Sequence, residues 1–371
     1  MKASAPFRNS SGRVFSPTRR RVLTWKKASL AGLLLLGLSL GAVCSRSGSA
    51  GGEERVARRT LTLGAYTTPR EVYGKAILPA FRRFWRAQHG EDVEFRQSYM
   101  GSGAQARAIL GGFEADVAAL SHEADMELLR REGLVRKDWK RAEQSGIVTR
   151  SLVVLGVRRG NPRGIRGWED LRQPGMRVLT PNVRTSGGAM WNIAAIYGAA
   201  LRGGTGLPAG DTRAAEGLLR EVLSKVRVMD HGARESMLNF ERGVGDVVIT
   251  YENEILAGLR KGKEYDYVVP ESTILIENPV AVVSEYARKH RNLDLAQAFV
   301  RFLYSDEAQR AFADYGLRPV RPEVAEGRFS PLPAKVFSIR ELGGWKQVKA
   351  KLFAQGGAYD RAFWATRRPR S

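Results

Sequence analysis

At 371 residues the chain is long enough for two lobes with separate cores, and 43% hydrophobic with 26% charged residues excludes a wholly disordered protein. The formal charge is +22, and the first fifty residues hold nine Lys and Arg and no acid, which leaves +13 for residues 51–371. That remainder is scattered in doublets such as Arg82–Arg83, Arg130–Arg131 and Arg158–Arg159 without interleaved aromatics, the pattern of a basic solvated surface and not of a nucleic-acid protein.

Residues 1–50 read as a targeting segment. Arg19, Arg20, Arg21, Lys26 and Lys27 precede an apolar run from Ala28 to Val43, and the small residues Gly48 and Ala50 follow. The run is about sixteen residues, short of the roughly twenty that span a bilayer, so export with cleavage is expected. Thr18-Arg19-Arg20-Arg21-Val22-Leu23 resembles a twin-arginine signal. Cys44 after Gly41-Ala42-Val43 is the less favoured alternative, a lipid attachment site, because Val43 fits that pattern poorly. As the sole cysteine it excludes an intrachain disulfide and a cysteine metal site. The histidines His89, His122, His231 and His290 show no metal-ligand spacing, and no cofactor is expected.

Residues 51–59 form a polar linker. Beyond it, Leu61–Tyr66 is strand-like, and Tyr73, Ile77, Phe81 and Phe84 recur at helical spacing. Val93–Gln97 alternates as a half-buried strand does. Asp116–Ser121, Leu152–Val157, Met176–Thr180 and Asp246–Tyr251 are further short apolar runs, each beside helical or turn sequence. The alternation predicts an α/β protein with largely parallel sheets. Leu293–Tyr304 and Asp306–Tyr315 are the last helical signals, the second opened by Ser305 as N-cap with acids in its first turn.

Three segments place small residues with exposed amides before a predicted helix: Gly101-Ser102-Gly103-Ala104-Gln105, Thr185-Ser186-Gly187-Gly188-Ala189 and Gly232-Ala233-Arg234-Glu235-Ser236. A helix start leaves its first amides unpaired and carries about half a positive charge, so it suits an anion. Glycine permits close approach, and serine adds a hydroxyl donor. Each segment alone is better read as ordinary helix capping, and only the three together favour an anion site.

At these segments the chain resembles the periplasmic sulfate-binding proteins, from about Leu61 to Gly343-Gly344-Trp345. The landmarks are Ala65-Tyr66-Thr67-Thr68-Pro69-Arg70-Glu71, Gly101-Ser102-Gly103, Glu114-Ala115-Asp116-Val117 and Arg159-Gly160-Asn161-Pro162. They continue through Thr180-Pro181-Asn182, Thr185 to Ala189, Gly232-Ala233-Arg234, Tyr251-Glu252-Asn253-Glu254, Leu303-Tyr304-Ser305 and Arg318-Pro319. The resemblance implies the two-lobed type II periplasmic binding protein fold, with two mixed or parallel sheets flanked by helices and a cleft between lobes. It implies a first lobe over 60–147 that returns over 274–371 with the C-terminal helices, and a second lobe over 148–273. It further implies a monomer that captures sulfate or thiosulfate for the membrane permease of an ABC importer. The implied donors are the amides of Thr67, Ser102, Gly187, Gly188 and Ala233 and the Ser186 hydroxyl, with Tyr251 beside them. Three positions depart from the family: Thr67 stands where aspartate is common, Tyr251 where a tryptophan donates its indole N–H, and Met190 where arginine is common.

Sulfate carries no proton, whereas phosphate near neutral pH needs an acceptor, usually a carboxylate. The Thr67 loop and the three helix-start segments aim no evident carboxylate at the ligand, unless Glu235 or Glu252 does so. Sulfate or thiosulfate is therefore expected ahead of molybdate-like anions or phosphate. A sensor with the same fold and no transporter is also compatible. The competing class is a serine hydrolase with Ser102 or Ser186 as nucleophile and His231 as base, but no Gly-x-Ser-x-Gly elbow accompanies them.

Overall fold

Strands whose both faces are apolar and helices with one apolar stripe dictate a layered molecule, and the computed structural model has that form over residues 57–325 and 327–367, the residues it describes. The targeting segment, with its twin-arginine and Cys44 readings, lies outside the described residues. The strands are β1 (Arg58–Tyr66), β2 (Asp92–Met100), β3 (Val117–Ala119), β4 (Ile147–Arg158) and β5 (Val178–Leu179), then β6 (Val226–Val228), β7 (Val247–Tyr251), β8 (Tyr265–Val268), β9 (Leu275–Val282) and β10 (Arg318–Pro319).

One lobe is built on the order β2-β1-β3-β9, the other on β4-β7-β5-β6 with β8 also against β4. β1 runs parallel to β2 and β3, and β5 parallel to β6 and β7. β4 and β9 join the two groups: they pair antiparallel, from Ile147 opposite Pro279 to Leu152 opposite Leu275. β9 is antiparallel to β3 and β4 to β7, so the sheets are mixed and not largely parallel. Strands that carry the chain between lobes must run back along their neighbours.

The side-chain alternation explains the near-continuous apolar runs. In β3, Val117 and Ala119 join one core, and Ala118 joins another on the opposite face. In β4, Val153, Leu155 and Val157 face one core, and Leu152 and Val154 the other. The first lobe's larger core is aromatic: Phe81 meets Phe299 edge-on at 5.0 Å, and Tyr73 meets Phe312 at 5.9 Å. The residues at helical spacing lie on successive helical segments, Arg70–Val72, Tyr73–Ile77 and Leu78–His89, closed by left-handed Gly90. Ser305 caps the helix Asp306–Asp314 through the Ala308 amide, as expected.

The chain's end divides between the cores. Phe299, Phe302 and Phe312 pack with β1, whereas Trp345, Val348, Leu352 and Tyr359 pack in the same core as helices Gly187–Leu201 and Thr212–Ser224. The helix Gly187–Leu201 is buried at every position from Gly187 to Ala200, apolar all round, so its first turn opens deep between the lobes. No helix among the described residues is long and apolar enough to cross a membrane.

Candidate functional site

The expected site residues sit at carboxyl ends of strands, where open α/β sheets gather ligands. Thr67 follows β1. Gly101 follows β2 and opens the helix Ser102–Leu110. Ser186 opens the helix Gly187–Leu201 in the segment after β5, Gly232 opens Ala233–Glu241 after β6, and Tyr251 ends β7 at the start of Glu252–Leu259. Gly101 and Gly232 provide no side-chain cap, so the first amides of their helices keep no intrahelical partner. The Ser186 hydroxyl accepts from the Ala189 amide at 3.4 Å.

These segments converge. A Cβ placed on Gly187 would lie 2.5 Å from Ser121 Oγ and 3.0 Å from Ser102 Cβ. One on Gly188 would lie 3.2 Å from Ala233 Cβ, 3.3 Å from Ser186 Oγ and 3.5 Å from Tyr251 Cζ. Gly232 lies against Thr67, 3.5 Å from its Oγ1 by the same measure, and a Cβ on Gly101 would collide with the Thr185 carbonyl oxygen. All seven expected residues are thus brought to one place. Six of them, Ser102, Ser186, Gly187, Gly188, Ala233 and Tyr251, are buried, and Thr67 is half-buried at the edge.

Ser121 is the site residue that the motifs did not single out. Its amide donates to Ser102 Oγ (2.9 Å), and its carbonyl accepts from Trp191 Nε1 (3.0 Å) and Asn278 Nδ2 (2.9 Å). Its hydroxyl lies 2.7 Å from Tyr251 OH. The residue therefore ties the end of β3 to the helix Gly187–Leu201, to β7 and to the crossing strand β9. Burial pushes the Tyr251 hydroxyl's pKa well up, so it stays a neutral O–H.

A carboxylate does approach, contrary to the expectation, but it is neither Glu235 nor Glu252. Glu235 is exposed and accepts from the His231 amide at 2.9 Å. Glu252 is buried but held bidentate by Arg318 at 2.6 and 2.8 Å. Instead Asp125, on the first turn of the helix Glu123–Arg131, accepts the Ser102 hydroxyl at 2.7 Å. The Asp125 amide donates to His122 Nδ1 at 3.3 Å, which leaves the imidazole proton on Nε2, 3.4 Å from Asp125 Oδ2. Burial lowers the His122 pKa, against the opposing charge of Asp125, and keeps the ring neutral. The order serine–carboxylate–histidine is the reverse of a hydrolase relay, in which the histidine touches the serine. His231 is exposed, and its ring bonds neither Ser102 nor Ser186 among the described residues.

Two cavities flank the convergence. One of about 510 Å³ is lined by Thr67, Glu71, Lys75, Arg234, Glu254 and Lys261. In it Glu71 pairs with Lys75 (2.7 Å) and Lys261, and Arg234 with Glu254 (3.2 Å). Burial raises the pKa of Glu254, against the lowering effect of Arg234. The other, of about 270 Å³, is lined by Arg107, His122, Asp125, Arg184, Met190 and Lys349. There, Arg107 donates to the Arg184 carbonyl at 3.2 Å, and none of the three cations forms an ion pair among the described residues.

Comparison with known proteins identifies the family. The family described as bacterial extracellular solute-binding protein matches residues 68–318. A sulfate-binding protein of Synechococcus elongatus is 37% identical over 93% of this chain and 96% of its own. A thiosulfate-binding protein of Pseudomonas aeruginosa is 33% identical over 91% of this chain and 99% of its own. Among solved structures, the sulfate-binding protein SubI of Mycobacterium tuberculosis superposes with a TM-score of 0.72 at 38% identity, covering 80% of this chain and 99% of that one. The fold is that of the two-lobed type II periplasmic binding proteins, and the chain belongs to the bacterial extracellular solute-binding proteins, in the family of the sulfate- and thiosulfate-binding proteins.

Proposed function

We propose that the protein captures sulfate or thiosulfate in the cleft and delivers it, as a monomer, to the membrane permease of an ABC importer. The observation that carries the reading is the meeting of three helix starts around Gly187 and Gly188, two of them without side-chain caps. The donors are the amides of Thr67, Ser102, Gly187, Gly188 and Ala233 with the Ser186 hydroxyl, and Tyr251 completes the wall. Several such dipoles stabilise a buried dianion without a counter-charge that would itself need desolvation. The names of the relatives support the anion class, and the family's extracellular description supports a periplasmic location; export on the twin-arginine segment is part of the proposal.

The first lobe comprises about 60–147 and a return beginning at 274. The second comprises 148–273, and residues from about 337 onward lie against it by their packing. Closure turns on β4 and β9, and the bound anion favours the closed form. The test is isothermal titration calorimetry on anion-stripped protein with sulfate, thiosulfate, molybdate and phosphate. Micromolar or tighter binding of sulfate or thiosulfate, with phosphate much weaker, is expected. Absence of binding by every anion would refute the assignment.

A further inference from the structure

Glu71 stands between two lysines. Lys75, four residues further along the helical segments Arg70–Val72 and Tyr73–Ile77, donates to Glu71 Oε1 at 2.7 Å. Lys261 donates to the other oxygen, Oε2, and comes from the segment after the helix Glu252–Leu259. Glu71 and Lys75 follow β1 in the first lobe, whereas Lys261 follows β7 in the second. The neighbouring Arg260 also reaches the first lobe, where its guanidinium donates to the Ala313 carbonyl at 3.0 Å. Glu71 and Lys261 thus join the lobes across the cavity of about 510 Å³ that both line. Hydrogen bonds from Lys261 and then Lys75 hold the Glu71 carboxyl below its ordinary range, against burial, so it is charged near neutral pH.

A second ion pair between the lobes is built differently. Arg318, opposite Arg150 of the crossing strand β4, holds Glu252 with side chains 12% and 1% exposed. It sits at the pivot of the closure proposed above and need not break there. The side chains of Glu71, Lys75 and Lys261 are 29%, 67% and 45% exposed, so water reaches this pair. When Lys261 withdraws, Glu71 keeps a partner four residues away on its own helix.

From this geometry we propose that Glu71 is a partner-exchanging latch: it holds Lys261 across the cleft in the closed form and falls back on Lys75 when the lobes part. The inference rests on the anion-capture reading above. The latch forms only after the lobes meet, so it prolongs the residence of the anion without speeding its capture. The two lysines act in opposite directions. Lys261 holds the closed form, and Lys75 competes with it for the same carboxylate. A surface that merely attracted the anion would treat the two cations alike.

The test is the release of radiolabelled sulfate chased with unlabelled sulfate, at low and high ionic strength. The variants are Lys261→Gln, Glu71→Gln, Lys75→Gln and the double variant Glu71→Gln with Lys261→Gln. At low ionic strength Lys261→Gln and Glu71→Gln should each speed release about two- to fivefold, the range of an exposed ion pair. The double variant should release no faster than the faster single one, because each removes the same contact. Lys75→Gln should slow release about twofold. At high salt all four should converge on the wild-type rate. Sulfate retained by each variant reports that it is folded. Release shifted in the same direction by Lys75→Gln and Lys261→Gln would overturn the latch. So would an unchanged rate in Lys261→Gln, or a double variant whose factor is the product of the single ones. Those results leave the anion-capture reading standing. Wild-type protein that binds neither sulfate nor thiosulfate would instead bring down that reading, and the latch with it.

Discussion

The two flanks of the cleft hold their charges differently. Beside Thr67, three of the four cations have a carboxylate: Lys75 and Lys261 share Glu71, and Arg234 is bracketed by Glu254 and Glu241, while Arg70 lies over the Tyr99 ring. Beside Ser186, Arg107, Arg184 and Lys349 line a cavity with no ion pair of their own among the described residues. Between the flanks, Ser102, Ser121, Ser186, Gly187, Gly188, Ala233 and Tyr251 are all neutral. The contrast separates two tasks. On the function proposed above, short-range hydrogen bonds from neutral groups would hold the anion, and the unpaired cations around Arg107 would raise its local concentration from a distance.

The largest effect should come from the floor. Gly187→Ala would drive a Cβ to 2.5 Å from Ser121 Oγ, against a serine held at its backbone from three sides, so the lobes cannot close on the helix start. Sulfate affinity should fall at least about a hundredfold in calorimetry, with the circular dichroism spectrum unchanged. Ser186→Ala removes one donor to a charged ligand and should cost about tenfold or somewhat more. A loss as large as that of Gly187→Ala would mean that the serine also holds the helix.

The flank comparison is sharpened by rates. Arg107→Ala and Lys349→Ala combined should slow sulfate association about three- to tenfold at low ionic strength in stopped-flow measurements. The effect should vanish at high salt, and the dissociation rate should not change. Glu71→Gln on the paired flank should alter association much less. Equal effects on both flanks would erase the distinction.

The smallest effect is a pH dependence with opposite signs at two histidines. His122 is buried neutral beside the cleft with its pKa below the ordinary 6.5, so its contribution to stability is full above 6.5 and is lost as the pH falls. His290 sits between Asp116 (2.8 Å) and Glu114 (2.9 Å), which also binds Lys289. Burial alone would lower its pKa, but hydrogen bonds to the two carboxylates and their charges raise it overall. Its contribution is therefore full below 6.5 and is lost as the pH rises through the raised value. His290→Gln should flatten the alkaline limb of a melting-temperature profile, by a few degrees at most, and leave the acid limb intact.

The parts of this molecule that were legible in the sequence are those whose signal is local. β1, β4 and β7 are apolar runs, and the three glycine- and serine-rich helix starts carry their chemistry in five consecutive residues. β9 escaped because Glu277, Asn278 and Pro279 interrupt its apolar pattern, although Pro279 sits at the register shift of its pairing with β4. Ser121 escaped for a deeper reason. Its partners Trp191, Tyr251 and Asn278 lie 70, 130 and 157 residues away, and no spacing rule connects them. Likewise the short helices Gly344–Val348 and Ala358–Ala365 escaped, and nothing local in the sequence says which core Trp345 and Tyr359 cover.

The claim that neutral amides at helix starts hold the anion is tested most directly by amide nuclear magnetic resonance during a sulfate titration. The account predicts saturable downfield shifts at the amides of Ser102, Gly187, Gly188 and Ala233, with Thr67 following as the lobes close. Shifts confined to the Arg107, Arg184 and Lys349 side chains, with those amides unmoved at saturation, would contradict it.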